Sequence, residues 1–211
     1  MRRVIQILFF LIIIVLGYLI VESIMEPIRF NQEVETREQA TIDRLIDIRE
    51  AQKAYKDVYK KYKGSFDTLI AFIDTASFTV IKAFGDIPEE WLDELGFEEA
   101  RQKAIDEGVI RRDPIKVPVL DSLFHQGFAS DSLRYVPFCE DITFTMTAGE
   151  LLTSSNLTVQ VVEAYCLYDD LLNGMDMQLV VNYKDERMKI VGFEGLKFGS
   201  MEEGTLTGNW E

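Results

Sequence analysis

Histidine is almost missing from this chain. His125 is the only one in 211 residues, and there are two cysteines, Cys139 and Cys166. No Cys-x-x-Cys pair occurs, so the ligand spacing of a structural zinc site cannot be assembled. Basic residues are scarce in the distal part: residues 64–211 hold 11 basic and 27 acidic side chains, a net charge of −16, whereas residues 1–25 and 26–63 each carry +1. Nucleic acids and anionic lipids are bound through clustered Lys and Arg. The acidic part is therefore expected to repel both, and no nucleic-acid partner is expected; the acidity is read as serving solubility, with a specific basic partner as the alternative. Internal repeats and low-complexity stretches are also absent.

Sites that could do chemistry are few. Asp121, Ser122 and His125 put an acid, a hydroxyl and an imidazole within five residues. No Gly-x-Ser-x-Gly elbow accompanies them, so this stretch is read as a loop or edge strand. Asp169, Asp170, Asn173 and Asp176 offer oxygens around Gly174, but without the spacing and terminal Glu of a calcium loop. They are read as a strand end and turn, and Trp210 as a docked aromatic. No catalytic residue, metal or cofactor is expected, and the chain reads as non-enzymatic.

One long apolar run stands out against these absences. From Val4 to Val21 the only polar residue is Gln6. As a helix the run is about 27 Å long, close to the hydrocarbon thickness of a bilayer at about 30 Å. Val4, Ile5, Leu8, Phe9, Phe10, Leu11, Ile12, Ile13, Ile14, Val15, Leu16, Leu19, Ile20 and Val21 form the expected membrane anchor. Arg2 and Arg3 precede it and Glu22 and Glu26 follow, so the positive-inside rule puts the N-terminus in the cytoplasm. A cleaved secretory signal has a similar plan with a shorter apolar core and a small-residue cleavage site. A pilin-type processing pattern, Gly17-Tyr18 to Glu22, lies at the end of the apolar helix instead of before it. The expected location is thus a bacterial inner membrane, single-pass, with the C-terminal domain periplasmic.

After Pro27, expected to kink or reset the helix, the sequence becomes charged and periodic. Ile42, Leu45, Ile48, Ala51, Tyr55, Val58 and Tyr62 recur at steps of three and four and share one helical face. Charged residues of both signs, Asp43, Arg44, Asp47, Arg49, Glu50, Lys53, Lys56 and Asp57, lie between them. This stripe needs a cover: either the chain's own sheet, or, for its first half, another copy or a protein partner in a coiled coil. Gly64 ends the helix and Ser65 is placed to cap the next one, residues 66–73.

The expected fold class is α+β: a transmembrane helix continuing into a long amphipathic stalk helix, then a head with a mostly antiparallel sheet and short helices. The expected divisions are residues 1–25 (cytoplasmic tip and anchor), 26–64 (stalk) and 65–211 (acidic head). In the head, strands are expected at 78–84, 133–138, 142–147, 157–167 and 178–183, with another at 188–191. Helices are expected at 89–95 and 98–107, and an extended run from Val109 is interrupted by Pro114 and Pro118. Cys139 and Cys166 could form a disulfide in an oxidising compartment. Each also sits in an apolar stretch where a lone Cys is a small buried hydrophobe.

Arg44-Leu45-Ile46-Asp47-Ile48-Arg49-Glu50-Ala51-Gln52-Lys53-Ala54-Tyr55 and Tyr62-Lys63-Gly64-Ser65-Phe66-Asp67-Thr68-Leu69 resemble the end of the long helix in type II secretion pseudopilins and type IV pilins. The chain through Gly199-Ser200-Met201 and Gly208-Asn209-Trp210-Glu211 is also similar to single-pass bacterial envelope proteins. The pseudopilin resemblance implies an anchor helix, an α/β head and assembly into a short filament, with Lys63-Gly64-Ser65 standing where the family has Asn-Gly-Arg-Tyr-Pro. The expected function is a membrane-anchored structural or assembly component of an envelope machine. The alternative is a membrane-tethered binding module for a soluble ligand or protein.

Overall fold

The computed structural model describes residues 2–125 and 127–211. A single helix, α1 (Arg2–Tyr59), runs for 58 residues, about 86 Å at the α-helical rise. Pro27 lies inside α1 and does not interrupt it, contrary to the expected reset. An interior proline removes one backbone donor and its ring crowds the carbonyl four residues back, at a cost of about 3 kcal/mol, and the helix is long enough on both sides to continue past it. An ion pair between Arg29 and Glu22 (3.0 Å) spans the proline. The helix ends where Lys60 takes a left-handed conformation, with its N–H bonded to the Lys56 carbonyl at 2.7 Å.

After α1 come α2 (Phe66–Thr75), β1 (Ser77–Phe84), α3 (Glu89–Leu95), α4 (Phe97–Asp106), β2 (Arg111–Pro118) and α5 (Val119–Leu123). A 3-10 turn (Ser130–Arg134) leads into β3 (Thr145–Leu152), β4 (Thr158–Leu167), α6 (Tyr168–Leu171), α7 (Met177–Val191) and β5 (Gly195–Gly199). The protein is α+β, with a long N-terminal helix followed by antiparallel sheets and short helices. It divides into two compact units, one formed by the chain up to Leu69 together with Asp131–Glu211, the other by Ile70–Ser130.

In the first unit β3, β4 and β5 form an antiparallel sheet in that order, with Met146 opposite Ala164 and Ala164 opposite Phe198. Val161, Val162, Ala164, Leu196 and Phe198 are buried, and α1 packs on β5. Along α1 the buried positions Phe30, Val34, Thr41, Leu45, Ile48, Ala51, Gln52 and Tyr55 recur at helical spacing. Each large apolar side chain so covered contributes roughly 1.5–3 kcal/mol. Gln52 holds the return of the chain: its Oε1 accepts from the Lys63 N–H at 3.0 Å and its Nε2 donates to the Lys63 carbonyl. A fully buried amide is tolerable because both of its ends are satisfied.

In the second unit β1 and β2 pair antiparallel from Ser77–Pro118 to Phe84–Arg111, joined through α3 and α4. Ala100, Ala104 and Val119 are buried, and the Ile110 N–H bonds the Ala104 carbonyl at 2.8 Å. Pro114 and Pro118 sit within β2 instead of interrupting it, as proline can in a strand with one unpaired side.

Two expected strands are helix. Residues 178–183 and 188–191 both fall in α7. The Asp176 side chain accepts from the Leu179 N–H at 3.0 Å and Gly192 closes the other end, so the caps outweigh the β-branched Val180 and Val181. Residues 133–138 form the end of the 3-10 turn and a single bridge, Tyr135 to Thr143, instead of a strand.

Candidate functional site

Helix α1 has two chemically distinct halves. In the first, Ile5, Leu8, Phe9, Phe10, Leu11, Ile12, Ile13, Ile14, Val15, Leu16, Leu19, Ile20 and Val21 are all exposed; the side chain of Val4 lies outside the described residues. This part includes an 18-residue window of mean hydropathy 2.8, none of it buried in the protein. It is long and apolar enough to cross a membrane. A soluble monomer rarely leaves so large an apolar surface in water.

The second half is clamped to the head. Leu45, Ile48, Ala51, Tyr55 and Tyr62 of the expected stripe are buried, Ile42 is half-buried and Val58 is exposed. The cover is the chain's own head, with β5 packed on α1 and helix α7 extending the contact further toward the N-terminus than the stripe did: the Phe30 ring meets Tyr183 edge-on at 6.2 Å. Arg37 donates to the carbonyls of Leu171 (3.0 Å) and Asn173 (3.4 Å), at the C-terminal end of α6 where a cation is favoured. Arg44 donates to the Ser132 hydroxyl. Arg49 bonds the Leu206 carbonyl at 3.2 Å and the Glu211 carboxylate at 2.6 Å, and that bond holds the Glu211 carboxyl below its usual range.

A tyrosine–carboxylate cluster seats α6 and α7 on this helix. The Glu38 carboxylate accepts from the Tyr168 hydroxyl (2.5 Å) and the Tyr183 hydroxyl (2.7 Å), and Arg187 Nε donates to the Tyr168 oxygen at 3.1 Å. Desolvation, then the bond to Glu38, pushes both phenols well above the ordinary tyrosine value of 10.0. The folded protein therefore keeps both protons at a pH where the unfolded chain has released them. Stability is expected to be fully present below about pH 10 and to fall as pH rises above it. The decline should approach about 1.4 kcal/mol per pH unit for each phenol, over a narrower pH range for Tyr183, whose upward shift is the smaller. Urea unfolding between about pH 9 and pH 11, roughly one unit either side of that value, measures it, and Tyr168→Phe should flatten the slope.

Reading the sequence did not find Glu38, Arg37, Gln52, Tyr168 or Tyr183. Glu38, Thr41 and Gln52 do lie at helical steps from Leu45 and Ile48, but a stripe sought in apolar residues passes over them.

The remaining sequence candidates are scattered. Asp121, Ser122 and His125 are exposed around α5, and His125 packs edge-on against Phe128 at 5.6 Å. Asp169 pairs with Lys184 at 2.7 Å and Asp176 caps α7. Among the described residues no group of three His, Cys, Asp or Glu is placed to hold a metal ion. Cys139 and Cys166 are free thiols, so the candidate disulfide is not formed. Cys139 Sγ donates to the Asp170 carbonyl at 3.3 Å and Cys166 Sγ to the Leu167 carbonyl at 3.4 Å. Burial, with lesser contributions from Asp170 and Cys139, pushes the Cys166 thiol up to about 12, which keeps it a protonated core group. Trp210 is half-buried and packs on Gly208. No protein-family model, curated protein or solved structure matches the chain.

Proposed function

We propose that the protein is a single-pass inner-membrane component of a bacterial envelope machine, with the N-terminus cytoplasmic and the head periplasmic, and that it is structural and not enzymatic. One observation carries this reading: α1 passes without a break from an exposed apolar segment into the helix that carries the head's sheet. A hinge would let the head sample orientations freely, whereas a continuous helix transmits the position of the anchor to the head. That is the mechanical property an assembly component needs, and it is the plan implied by the pseudopilin resemblance at Arg44–Tyr55.

On this reading the buried stripe on the second half of α1 is not the surface for partners. Leu45, Ile48, Ala51 and Tyr55 are used within the chain, so a coiled coil through that face would compete with the head's own packing. Assembly contacts then fall to the apolar segment inside the bilayer. The lipid bilayer itself is the first partner.

Two measurements test the reading. A periplasm-active reporter fused after Glu211 should be active, and activity only of a cytoplasm-active reporter would overturn the orientation. Native mass measurement of the full chain extracted in mild detergent should show oligomers that disappear when residues 4–21 are replaced by an unrelated membrane helix. A monomer in both cases would remove the assembly role and leave the tethered binding module.

A further inference from the structure

We propose that the side of α1 carrying Gln6, Phe10, Ile13, Gly17, Ile24 and Ile28 is the surface on which a second copy of this chain pairs, parallel and in register. The proposal deepens the assembly reading above and rests on residues 4–21 spanning a membrane.

The first ground is where the exceptional residues of the anchor fall. Gln6 is the one polar side chain and Gly17 the one glycine between Val4 and Val21. At 3.6 residues per turn they lie within about 20° of each other around the helix. Phe10 and Ile13 stand between them on the same side, within about 40° of Gly17, and all four are exposed. Nothing in the chain's own packing calls for a glycine here, since a Cβ at Gly17 would meet no atom within 4 Å. In a bilayer a small residue lets two helix backbones approach closely, and a carboxamide finds its hydrogen-bond partner on another helix.

The second ground is that the same side stays apolar past the end of the anchor. Ile24 and Ile28 are 57% and 42% exposed, and they stand within about 20° of the direction of Gly17. The charged residues of this stretch, Glu22, Glu26 and Arg29, occupy the opposite half of the helix, where Arg29 pairs with Glu22 at 3.0 Å. Ile28 is seven residues beyond Val21, about 10 Å along the helix, whereas the headgroup layer is only about 5–8 Å deep. Lipid therefore does not cover Ile28. Nor does the three-stranded unit: Phe30, Val34 and Thr41, the buried positions that mark its side of α1, point about 120° away around the helix.

The occupant is a second copy because the surface is complementary to itself. A carboxamide both donates and accepts, so two Gln6 side chains at one depth satisfy each other across a two-fold axis, as an isologous interface requires. Copies oriented by the same Arg2-Arg3 signal cross the membrane in one direction. That sets Gln6 beside Gln6, Gly17 beside Gly17 and Ile28 beside Ile28. Confinement to one membrane raises the effective concentration and favours a pairing that would be weak in solution. The copies join through their anchors, and the three-stranded units stay on the outside of the pair.

The test uses the full chain, produced in bacterial membranes and irradiated before extraction, with benzoylphenylalanine at a single site. Ile28→benzoylphenylalanine should give an intact mass equal to two copies. Glu26→benzoylphenylalanine, exposed at nearly the same height on the opposite side, should give only background. A lipid adduct, a different protein mass or no adduct at position 28 would overturn the proposal. In mild detergent, Gln6→Leu with Gly17→Leu should weaken pairing by about tenfold or more, while Leu8→Ala, on the far side, leaves it unchanged. Undiminished oligomers in the double variant remove this surface and leave assembly through another face. A wild-type chain that is monomeric removes the assembly reading as well, and one that washes out of membranes in alkali removes the anchor itself.

Discussion

Leu45→Asp with Ile48→Asp is expected to unfold the head's three-stranded unit while leaving the N-terminal segment in the membrane. Both side chains have no exposed surface and sit on the face of α1 that packs into the head. Each substitution forfeits roughly 1.5–3 kcal/mol of apolar burial. Each also places a carboxylate where it must either remain unpaired or take up a proton, at a cost of several kcal/mol more. Two such losses match or exceed the 5–15 kcal/mol that stabilises an ordinary domain. Val58→Asp is the control: Val58 belongs to the same sequence stripe but is 47% exposed, and it should change stability by no more than about 0.5 kcal/mol. Limited proteolysis of membrane-inserted protein reads the difference. Rapid cleavage throughout Asp131–Glu211 is expected for the double variant and wild-type resistance for Val58→Asp. Resistance in the double variant would mean that α1 does not carry the sheet.

The same face shows what could be read from the sequence. The period of three and four from Leu45 to Tyr55 was visible because those residues are apolar, and the α+β class followed from that period and the β-branched runs after it. The extension to Phe30 was not visible, because it passes through Thr41, whose hydroxyl donates to the Arg37 carbonyl one turn back, and through Glu38 and Arg37, whose partners lie far along the chain: Tyr168, Tyr183 and Leu171. A helix face completed by long-range hydrogen bonds has no periodic apolar signature. The error at α7 has another cause. Val180 and Val181 favour a strand locally, and the helix is decided by Asp176 and Gly192 at its ends, which lie outside the apolar window. Pro27 does not end the helix because its cost, one lost hydrogen bond and a ring clash worth about 3 kcal/mol, is borne by a helix of 58 residues. The candidate site suffered most: its distinctive group, one carboxylate shared by two phenols, joins residues 130 and 145 positions apart, and no local motif announces such a pairing.

The second large effect is expected from Gly199→Ala. Gly199 closes β5 with φ +75°, opposite Glu163 in the antiparallel register, and its N–H bonds the Thr207 carbonyl at 3.0 Å. A Cβ there would lie 2.0 Å from the Val162 carbonyl oxygen and 3.1 Å from its carbon. The obstructing atoms are backbone of the central strand, so no rotamer change relieves the contact. The left-handed conformation adds about 1–2 kcal/mol for an L-residue, and forcing β5 off β4 adds the roughly 1–3 kcal/mol typical of overpacking. Gly174→Ala separates the two costs: Gly174 also has positive φ, at 85°, but a Cβ there meets nothing within 4 Å. It should lose only the conformational part, on the order of 1–2 kcal/mol. Chemical denaturation of the two variants side by side measures the gap. If Gly199→Ala were no worse than Gly174→Ala, the end of β5 would have to yield without cost, and the sheet on which α1 packs would not be the rigid element that carries the head.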